Sequence, residues 1–323
     1  MSTVDQTPVG SPFGATSTAQ EVLDGVDLTG RLAVVTGGYA GIGLATVAAL
    51  SAAGADVLVP ARRPPAAEQA LADAGVERAT VAQMDLADQA SVAAWVDGVI
   101  AQARPVDIVV CNAGVMATPE IRVGPGWELQ MATNHLGHFA LVARLWPLLV
   151  ASGQARVVSV SSLGHHHSPI RWGDPWFERD GYAKWAAYGQ SKTANILFAL
   201  QLAKLGRAAG LRAHSLHPGA ILTTLGKHMT EADLDEVLVA DDDGNLAIPD
   251  FKTPEQGAAT SVFAATSPLL AERSGSYLED CEVADFCDVE GLRHTGVKRY
   301  ALDPAEADRL WTWSAQQVGV DLG

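Results

Sequence analysis

Tyr188 and Lys192 stand four residues apart in Tyr188-Gly189-Gln190-Ser191-Lys192. On a helix that spacing puts a phenol and an ammonium on one face. A nearby ammonium favours phenolate and lowers the phenol's pKa, so Tyr188 could exchange a proton near neutral pH. The pattern alone also describes an ordinary surface pair. Two further stretches bear on it. Val157-Val158-Ser159-Val160-Ser161-Ser162 reads as a strand ending in hydroxyls, and the carboxyl ends of strands are where open parallel sheets bind ligands. Thr133-Asn134-His135-Leu136-Gly137-His138 puts an amide inside the preceding helix.

A second set of residues suits a phosphate. The apolar run 32–36 leads into Thr36-Gly37-Gly38-Tyr39-Ala40-Gly41-Ile42-Gly43, and a helix follows. Glycines permit a tight turn and a close ligand, while a helix start offers free N–H groups and partial positive charge, which fits a pyrophosphate. The spacing is Gly-x-x-x-Gly-x-Gly, not the commoner Gly-x-Gly-x-x-Gly. At the end of the next strand stand Arg62 and Arg63, where a carboxylate would accept from the ribose hydroxyl of NAD. A guanidinium suits the 2′-phosphate of NADP instead. Asp56 is the competing acid but sits at the start of that strand. Asp85-Leu86 ends the third strand. Asp85 reads either as an adenine contact or as a helix cap, for which Asp88 is an equal candidate.

These residues need elements to hold them. Strands are predicted at 32–36, 56–60, 79–84, 106–111, 156–160, 211–216 and 275–278. Helices are predicted at 42–53, 65–74, 89–103, 127–150 with a bend at Pro147, 186–206, 254–266 and 304–318. Such alternation implies right-handed crossovers and a doubly wound parallel sheet of about seven strands, with helices on both faces. No linker separates two cores. The expectation is a flexible tail at 1–24 and one α/β domain at 25–323, carrying insertions at 163–185 and 225–253. Asp241-Asp242-Asp243-Gly244 in the second insertion reads as an exposed turn.

Of 323 residues, 48% are apolar and the net charge is −15, so a sizeable core is available and nucleic acid or an anionic membrane is disfavoured as partner. Three cysteines, Cys111, Cys281 and Cys287, make no disulfide framework, and two thiols do not complete a zinc site. No apolar run is long enough to span a bilayer and the first basic residue is Arg31, unlike a secretory signal; a cytoplasmic protein is expected. His165-His166-His167 diverge in most backbone conformations, so no metal is expected there. One of them near a substrate is the stronger reading.

Together, Thr36-Gly-x-x-x-Gly-Ile-Gly43, Cys111-Asn112-Ala113-Gly114, Asn134, Ser161-Ser162, Tyr188-x-x-x-Lys192 and His217-Pro218-Gly219 resemble the short-chain dehydrogenase/reductase family, in the family's order and over roughly residues 27–300. Asn134-His-Leu-Gly-His-Phe139 and the Ala61-Arg62 strand end look like its retinol dehydrogenase and WW-domain oxidoreductase branch. The resemblance implies a single-domain Rossmann fold. It implies catalysis by Asn134, Ser162, Tyr188 and Lys192. Tyr188 would be the acid in carbonyl reduction and the base in alcohol oxidation, with Lys192 lowering its pKa and holding the nicotinamide ribose. Ser162 would bind the substrate oxygen, and Asn134 would order a water linked to Lys192. Cofactor contacts would fall to Gly37, Tyr39, Gly41, Ile42, Gly43, Arg62, Arg63, Asp85, Leu86, Asn112, Ala113, Gly114, Tyr188, Lys192, Pro218, Gly219 and Thr223.

Some features depart from the family pattern. Cys111 replaces a usual Asn, and the glycine loop carries no basic residue, so NADP preference depends on Arg62 and Arg63. The long segment after Ser162 holds Trp172, Trp176, Phe177 and Trp185, which would wall a hydrophobic substrate or simply pack the insertion. The leading expectation is an NADP(H)-dependent oxidoreductase for a bulky apolar ketone or secondary alcohol. The alternatives are an NAD-dependent dehydrogenase working oxidatively, or a dinucleotide-binding sensor whose catalysis has lapsed. A homo-oligomer is compatible with either.

Overall fold

The structure is a computed structural model that describes residues 4–221, 251–289 and 295–320, together with Gly226, Met229, Asp233, 239–240, 246–247 and Leu322. Thr223, the Asp241–Asp243 turn and most of the insertion at 225–253 lie outside the described residues.

The central sheet contains β1 (Leu32–Val35), β2 (Asp56–Ala61), β3 (Ala79–Gln83), β4 (Ile108–Cys111), β5 (Arg156–Val160), β6 (Arg212–His217), β7 (Tyr277–Glu279) and β8 (Glu282–Val283). Their spatial order is β8-β7-β6-β5-β4-β1-β2-β3. Every pairing is parallel except β7 with β8. Strands buried on both faces read as continuous apolar runs, as Leu32–Val35 and Ile108–Cys111 do. Leu32 and Val34 face one layer, Ala33 and Val35 the other.

Among the described residues, seven helices of ten or more residues cover the sheet: α1 (Gly41–Ala52), α2 (Pro64–Asp73), α3 (Gln89–Ile100), α4 (Gly137–Ser152), α5 (Lys184–Gly206), α6 (Pro254–Thr266) and α7 (Pro304–Val318). Residues of α3, α4, α5 and α7 pack one face through Trp95, Phe139, Leu145, Phe198 and Trp311. Val47, Leu50, Val262 and Phe263 of α1 and α6 pack the other. The chain leaves β1 in one direction across the sheet and returns at β4 to continue in the other. That reversal opens a crevice at the carboxyl ends of β1 and β4.

Two expectations are corrected, and the sheet carries one strand beyond the seven or so expected. The eighth strand arises because Asp280 and Cys281 both take positive φ, 50° and 60°, the backbone of a two-residue hairpin turn. Neither residue is the glycine or asparagine that usually announces such a turn, so the sequence hid it. The helical break in 127–150 lies at Ala132–Leu136, a π-helical turn preceded by a short turn at Leu129–Met131, while Pro147 sits inside an unbroken α4.

The segment read as a flexible tail is seated on the domain. Gln6 is buried, donates to the carbonyls of Tyr277 and Ala284 at 3.1 and 3.0 Å, and accepts from the Tyr277 N–H at 3.1 Å. Glu282 accepts from the N–H groups of Val9, Gly10 and Ser11 at 2.7 to 2.9 Å. A capped helical turn, Ala19–Val22, then packs against α6. Composition suggested mobility, but sparse contacts carried by Gln6 and Glu282 leave no periodic signature.

Candidate active site

The glycine loop begins where β1 ends. Gly37 and Gly41 have φ of +65° and +50°, the region that favours glycine. A Cβ on Gly43 would strike the Gly37 carbonyl and come within 2.5 Å of the Asn112 amide nitrogen. Only glycine lets the helix start pack this closely on the strand ends. Ala40, the residue before α1, provides no side-chain cap, and among the described residues no side chain accepts from the first N–H groups of the helix. The floor of the crevice is stitched across β1 and β4. Thr36 Oγ1 accepts from the N–H groups of Asn112 and Ala113 at 2.9 and 3.0 Å, and Asn112 Nδ2 donates to the Thr36 carbonyl at 2.9 Å.

Arg62 and Arg63 follow β2 directly; both are exposed, and neither forms an ion pair among the described residues. Asp56 is committed elsewhere, to Arg78 and Arg104 at 2.8 Å each. Asp88 caps α3 by accepting from Ala90 and Ser91, whereas Asp85 accepts from Ala87 at 2.9 Å. The backbone of Leu86 lies against Gly137, where a Cβ would collide with its carbonyl. Pro218 and Gly219 follow β6, and Gly219 has φ +100°. These groups outline a cradle suited to a dinucleotide: a glycine floor, a free helix start and two cations beyond the second strand.

The candidate reacting groups converge at the same end of the sheet. Ser161 and Ser162 follow β5, and Ser162 opens the 3-10 turn Leu163–His167, accepting from the Gly164 N–H at 3.0 Å. Tyr188, in the first turns of α5, is buried, and its ring and the Ser162 hydroxyl both lie against Gly164. Lys192 lies one turn on, its Nζ donating to the Val160 carbonyl at 3.1 Å and standing 5.6 Å from the centre of the Tyr188 ring. Asn134 sits in the π-helical turn, a distortion that recurs at functional sites. Its amide accepts from the Val115 N–H at 2.8 Å and donates to the Val115 carbonyl and Ser191 Oγ, both at 2.9 Å. A Cβ on Gly114 would sit 3.2 Å from Asn134 Oδ1 and 3.7 Å from Lys192 Nζ, so Gly114, Asn134 and Lys192 meet at one point.

Burial dominates the electrostatics. It pushes Tyr188 up to about 12, with the Ser162 hydroxyl pulling the other way. It brings Lys192 down to about 8. The acidification of Tyr188 by Lys192 expected from their spacing is not seen in this arrangement, because the ammonium is turned to Val160 and the phenol is fully desolvated.

The aromatics of the insertion separate. Trp176 stacks on Trp127 and packs on Trp313, and Trp172 meets Trp313 edge-on and donates to Glu306 at 2.5 Å. Those two pack the insertion onto α7. Phe177 meets Tyr182 edge-on with Arg171 over its ring. Trp185 alone reaches the site, edge-on to Tyr188 with centroids 6.2 Å apart, in a cluster with Ala117, Met116 and Met229. His165 and His166 bond to the carbonyls of Ser162 and Gly296 at 2.7 and 2.9 Å, so their rings serve different partners. Sequence reasoning missed Ser191 and the Val115 backbone, which hold Asn134. Ser191 was in view, inside the Tyr-x-x-x-Lys pattern, but a serine between two functional residues carries no signal of its own.

Residues 31–234 match the family described as short chain dehydrogenase. The chain is 48% identical over 298 residues to a Streptomyces lividans protein named "Probable oxidoreductase", covering 91% of this chain and 99% of that one. It is 33% identical to Retinol dehydrogenase 12 of Homo sapiens, covering 91% and 88%. The crystal structure of an uncharacterized protein from Mycobacterium Paratuberculosis superposes with TM-score 0.73 at 31% identity, covering 95% and 99%. With its glycine cradle, its parallel sheet and its Ser-Tyr-Lys-Asn cluster, the chain belongs to the oxidoreductases of the short-chain dehydrogenase/reductase family, in the retinol-dehydrogenase-like branch.

Proposed function

We propose that the protein is an NADP(H)-dependent oxidoreductase that interconverts a bulky apolar ketone and its secondary alcohol. The observation that carries this reading is the convergence of Ser162, buried Tyr188 and Lys192 at the carboxyl ends of the strands beside the glycine cradle, with Asn134 and Gly114 meeting Lys192 there. Gly37, Gly41, Gly43 and the open start of α1 would hold the pyrophosphate, and Arg62, supported by Arg63, the 2′-phosphate. No carboxylate ends β2, which is the reason to prefer NADP over NAD. When bound, the nicotinamide supplies or accepts the hydride.

The chain's own residues do the rest. Ser162 and Tyr188 hydrogen-bond the substrate oxygen. Tyr188, whose phenol stays protonated through the neutral range, donates its proton to that oxygen as charge develops on it. Lys192 stabilises the phenolate left behind, and Asn134 fixes the depth at which Lys192 and Gly114 meet. Trp185, Met116 and Met229 exclude water and receive the apolar body of the substrate.

Tyr188→Phe removes the proton donor and keeps the ring. It should abolish turnover of carbonyl substrates while NADPH still binds by fluorescence titration; retained turnover rejects the mechanism. Arg62→Ala should weaken NADPH by about tenfold or more and leave NADH nearly unchanged, as expected for loss of a charge-assisted phosphate contact. Equal losses would reject the phosphate role.

A further inference from the structure

We propose that His138 is a positioning residue that ties the cofactor floor at the ends of β1 and β4 to the π-helical turn carrying Asn134. His138 lies one turn after Asn134, and its ring is sealed from solvent. Nδ1 is 2.9 Å from the Asn134 carbonyl and Nε2 is 2.8 Å from Thr36 Oγ1. A carbonyl only accepts, so Nδ1 carries the proton and Nε2 is the bare acceptor. Thr36 then has one arrangement left. Its two lone pairs take the Asn112 and Ala113 N–H groups, and its single proton goes to His138. The 3.4 Å contact to the Val110 carbonyl is the poorer alternative for that proton.

The tautomer is defended by its surroundings. Burial brings His138 down to about 4, and a second positive charge beside Lys192 would be unfavourable, so the ring is neutral at any physiological pH. Asn134 is thereby held at two ends. Its amide grips both backbone groups of Val115, and its carbonyl is held by His138. Val115 directly follows the Asn112-Ala113-Gly114 segment that Thr36 holds. The loop from Asn112 to Val115 and the turn around Asn134 form one closed hydrogen-bonded circuit, and His138 is the link that reaches Thr36. A cooperative circuit of buried bonds transmits displacement at one point to the others. A shift of the glycine floor would move Asn134, and through it the point where Lys192 works.

The catalytic part of this inference rests on the oxidoreductase reading; the structural coupling does not. The test uses the full chain with His138→Phe, Thr36→Val, the double variant and Thr36→Ser. Amide hydrogen exchange should rise about tenfold in both 110–115 and 132–138 for either single variant, and Thr36→Ser should stay within about threefold of the parent. Exchange that rises only in the variant's own segment overturns the proposal. With NADPH and an apolar ketone, each single variant should lower kcat about tenfold or more with a much smaller change in NADPH affinity. The double variant should fall no further than the worse single, because both break one circuit. Losses that multiply overturn it. If no carbonyl is turned over by the parent chain, the oxidoreductase reading fails and the exchange pattern alone decides the coupling. If His138→Phe does not fold, His138→Asn replaces it. That side chain still donates toward Asn134 but is too short for Thr36, so exchange should rise at 110–115, and an unchanged value there overturns the link.

Discussion

Lys192 donates to the Val160 carbonyl at 3.1 Å while its ammonium stands 5.6 Å from the centre of the Tyr188 ring. Burial sets the two groups apart in the pH range: Lys192 falls to about 8 and Tyr188 rises to about 12. In the proposed mechanism, carbonyl reduction needs Tyr188 protonated and Lys192 charged. Tyr188 stays protonated throughout the measurable range, so Lys192 sets the limit. The expected kcat/KM for ketone reduction is level from pH 6 to about 7.5 and falls as Lys192 loses its proton above about 8. Lys192→Arg should remove that alkaline limb, at the cost of a lower plateau from altered geometry. Initial rates between pH 6 and 10 check this, and a rate that climbs above pH 8 contradicts it.

Trp185 faces Tyr188 edge-on from the preceding turn of α5, backed by Met116 and Met229. An apolar wall beside the reacting oxygen discriminates by size. Losing one such contact surface is worth about 1–3 kcal/mol. Trp185→Ala should therefore lower kcat/KM for a bulky apolar ketone by roughly 10- to 100-fold and change that for an acetone-sized ketone by less than about threefold. The ratio of the two is the measurement. Equal losses would mean that Trp185 supports Tyr188 rather than the substrate.

The strand–helix alternation and the candidate cluster of Ser162, Tyr188 and Lys192 were legible because each has a local signature. Buried parallel strands are continuous apolar runs, Gly37 and Gly41 take the positive φ that favours glycine, and a Cβ on Gly43 would collide with the Gly37 carbonyl. Tyr188 and Lys192 share a helix face, so their spacing announces them. What stayed hidden depends on partners far apart in the chain. Gln6 bonds to Tyr277 and Ala284 across more than 270 residues, and no periodicity encodes such a clamp. The turn at Asp280-Cys281 uses residues that only tertiary context drives to positive φ. Spacing also does not reveal burial, which raises the Tyr188 phenol against any effect of a nearby ammonium.

Glu282 gathers three backbone N–H groups from Val9, Gly10 and Ser11, and these bonds hold its carboxyl below the usual range against the opposing effect of burial. Its own strand, β8, is the edge of the sheet. An edge strand left open invites pairing with other chains, and covering it is a common protection. Glu282→Ala should release residues 4–14, cost about 1–2 kcal/mol, and lower Tm by a few degrees. Limited proteolysis should then cut within that segment at a protease level that leaves the parent intact. An unchanged Tm and cleavage pattern would show that Glu282 does not hold the segment.

Buried neutral histidines should make the fold acid-labile. Burial brings His135, His214 and His217 to about 3 and His138 to about 4, and lowers His165 well below its usual value. In the unfolded chain these rings take up protons below about 6.5, whereas in the fold they do not. The unfolded state therefore binds more protons on the acid side, and stability declines as pH drops through 6.5. Each histidine contributes a loss of roughly 1 kcal/mol at pH 5.5. Glu279 works the other way: burial raises it to about 7, so the fold keeps its proton between about 4.5 and 7 and gains relative stability there. One carboxyl offsets only part of five imidazoles. Tm should fall by roughly 10 °C between pH 7.5 and 5.5. His135→Phe, in the aromatic cluster with Phe139 and Phe198, should flatten that slope by removing one ring from the sum. A Tm that holds level over this range would mean that these rings are protonated in the fold, with partners other than the hydroxyl and carbonyls that His135, His138 and His165 meet here.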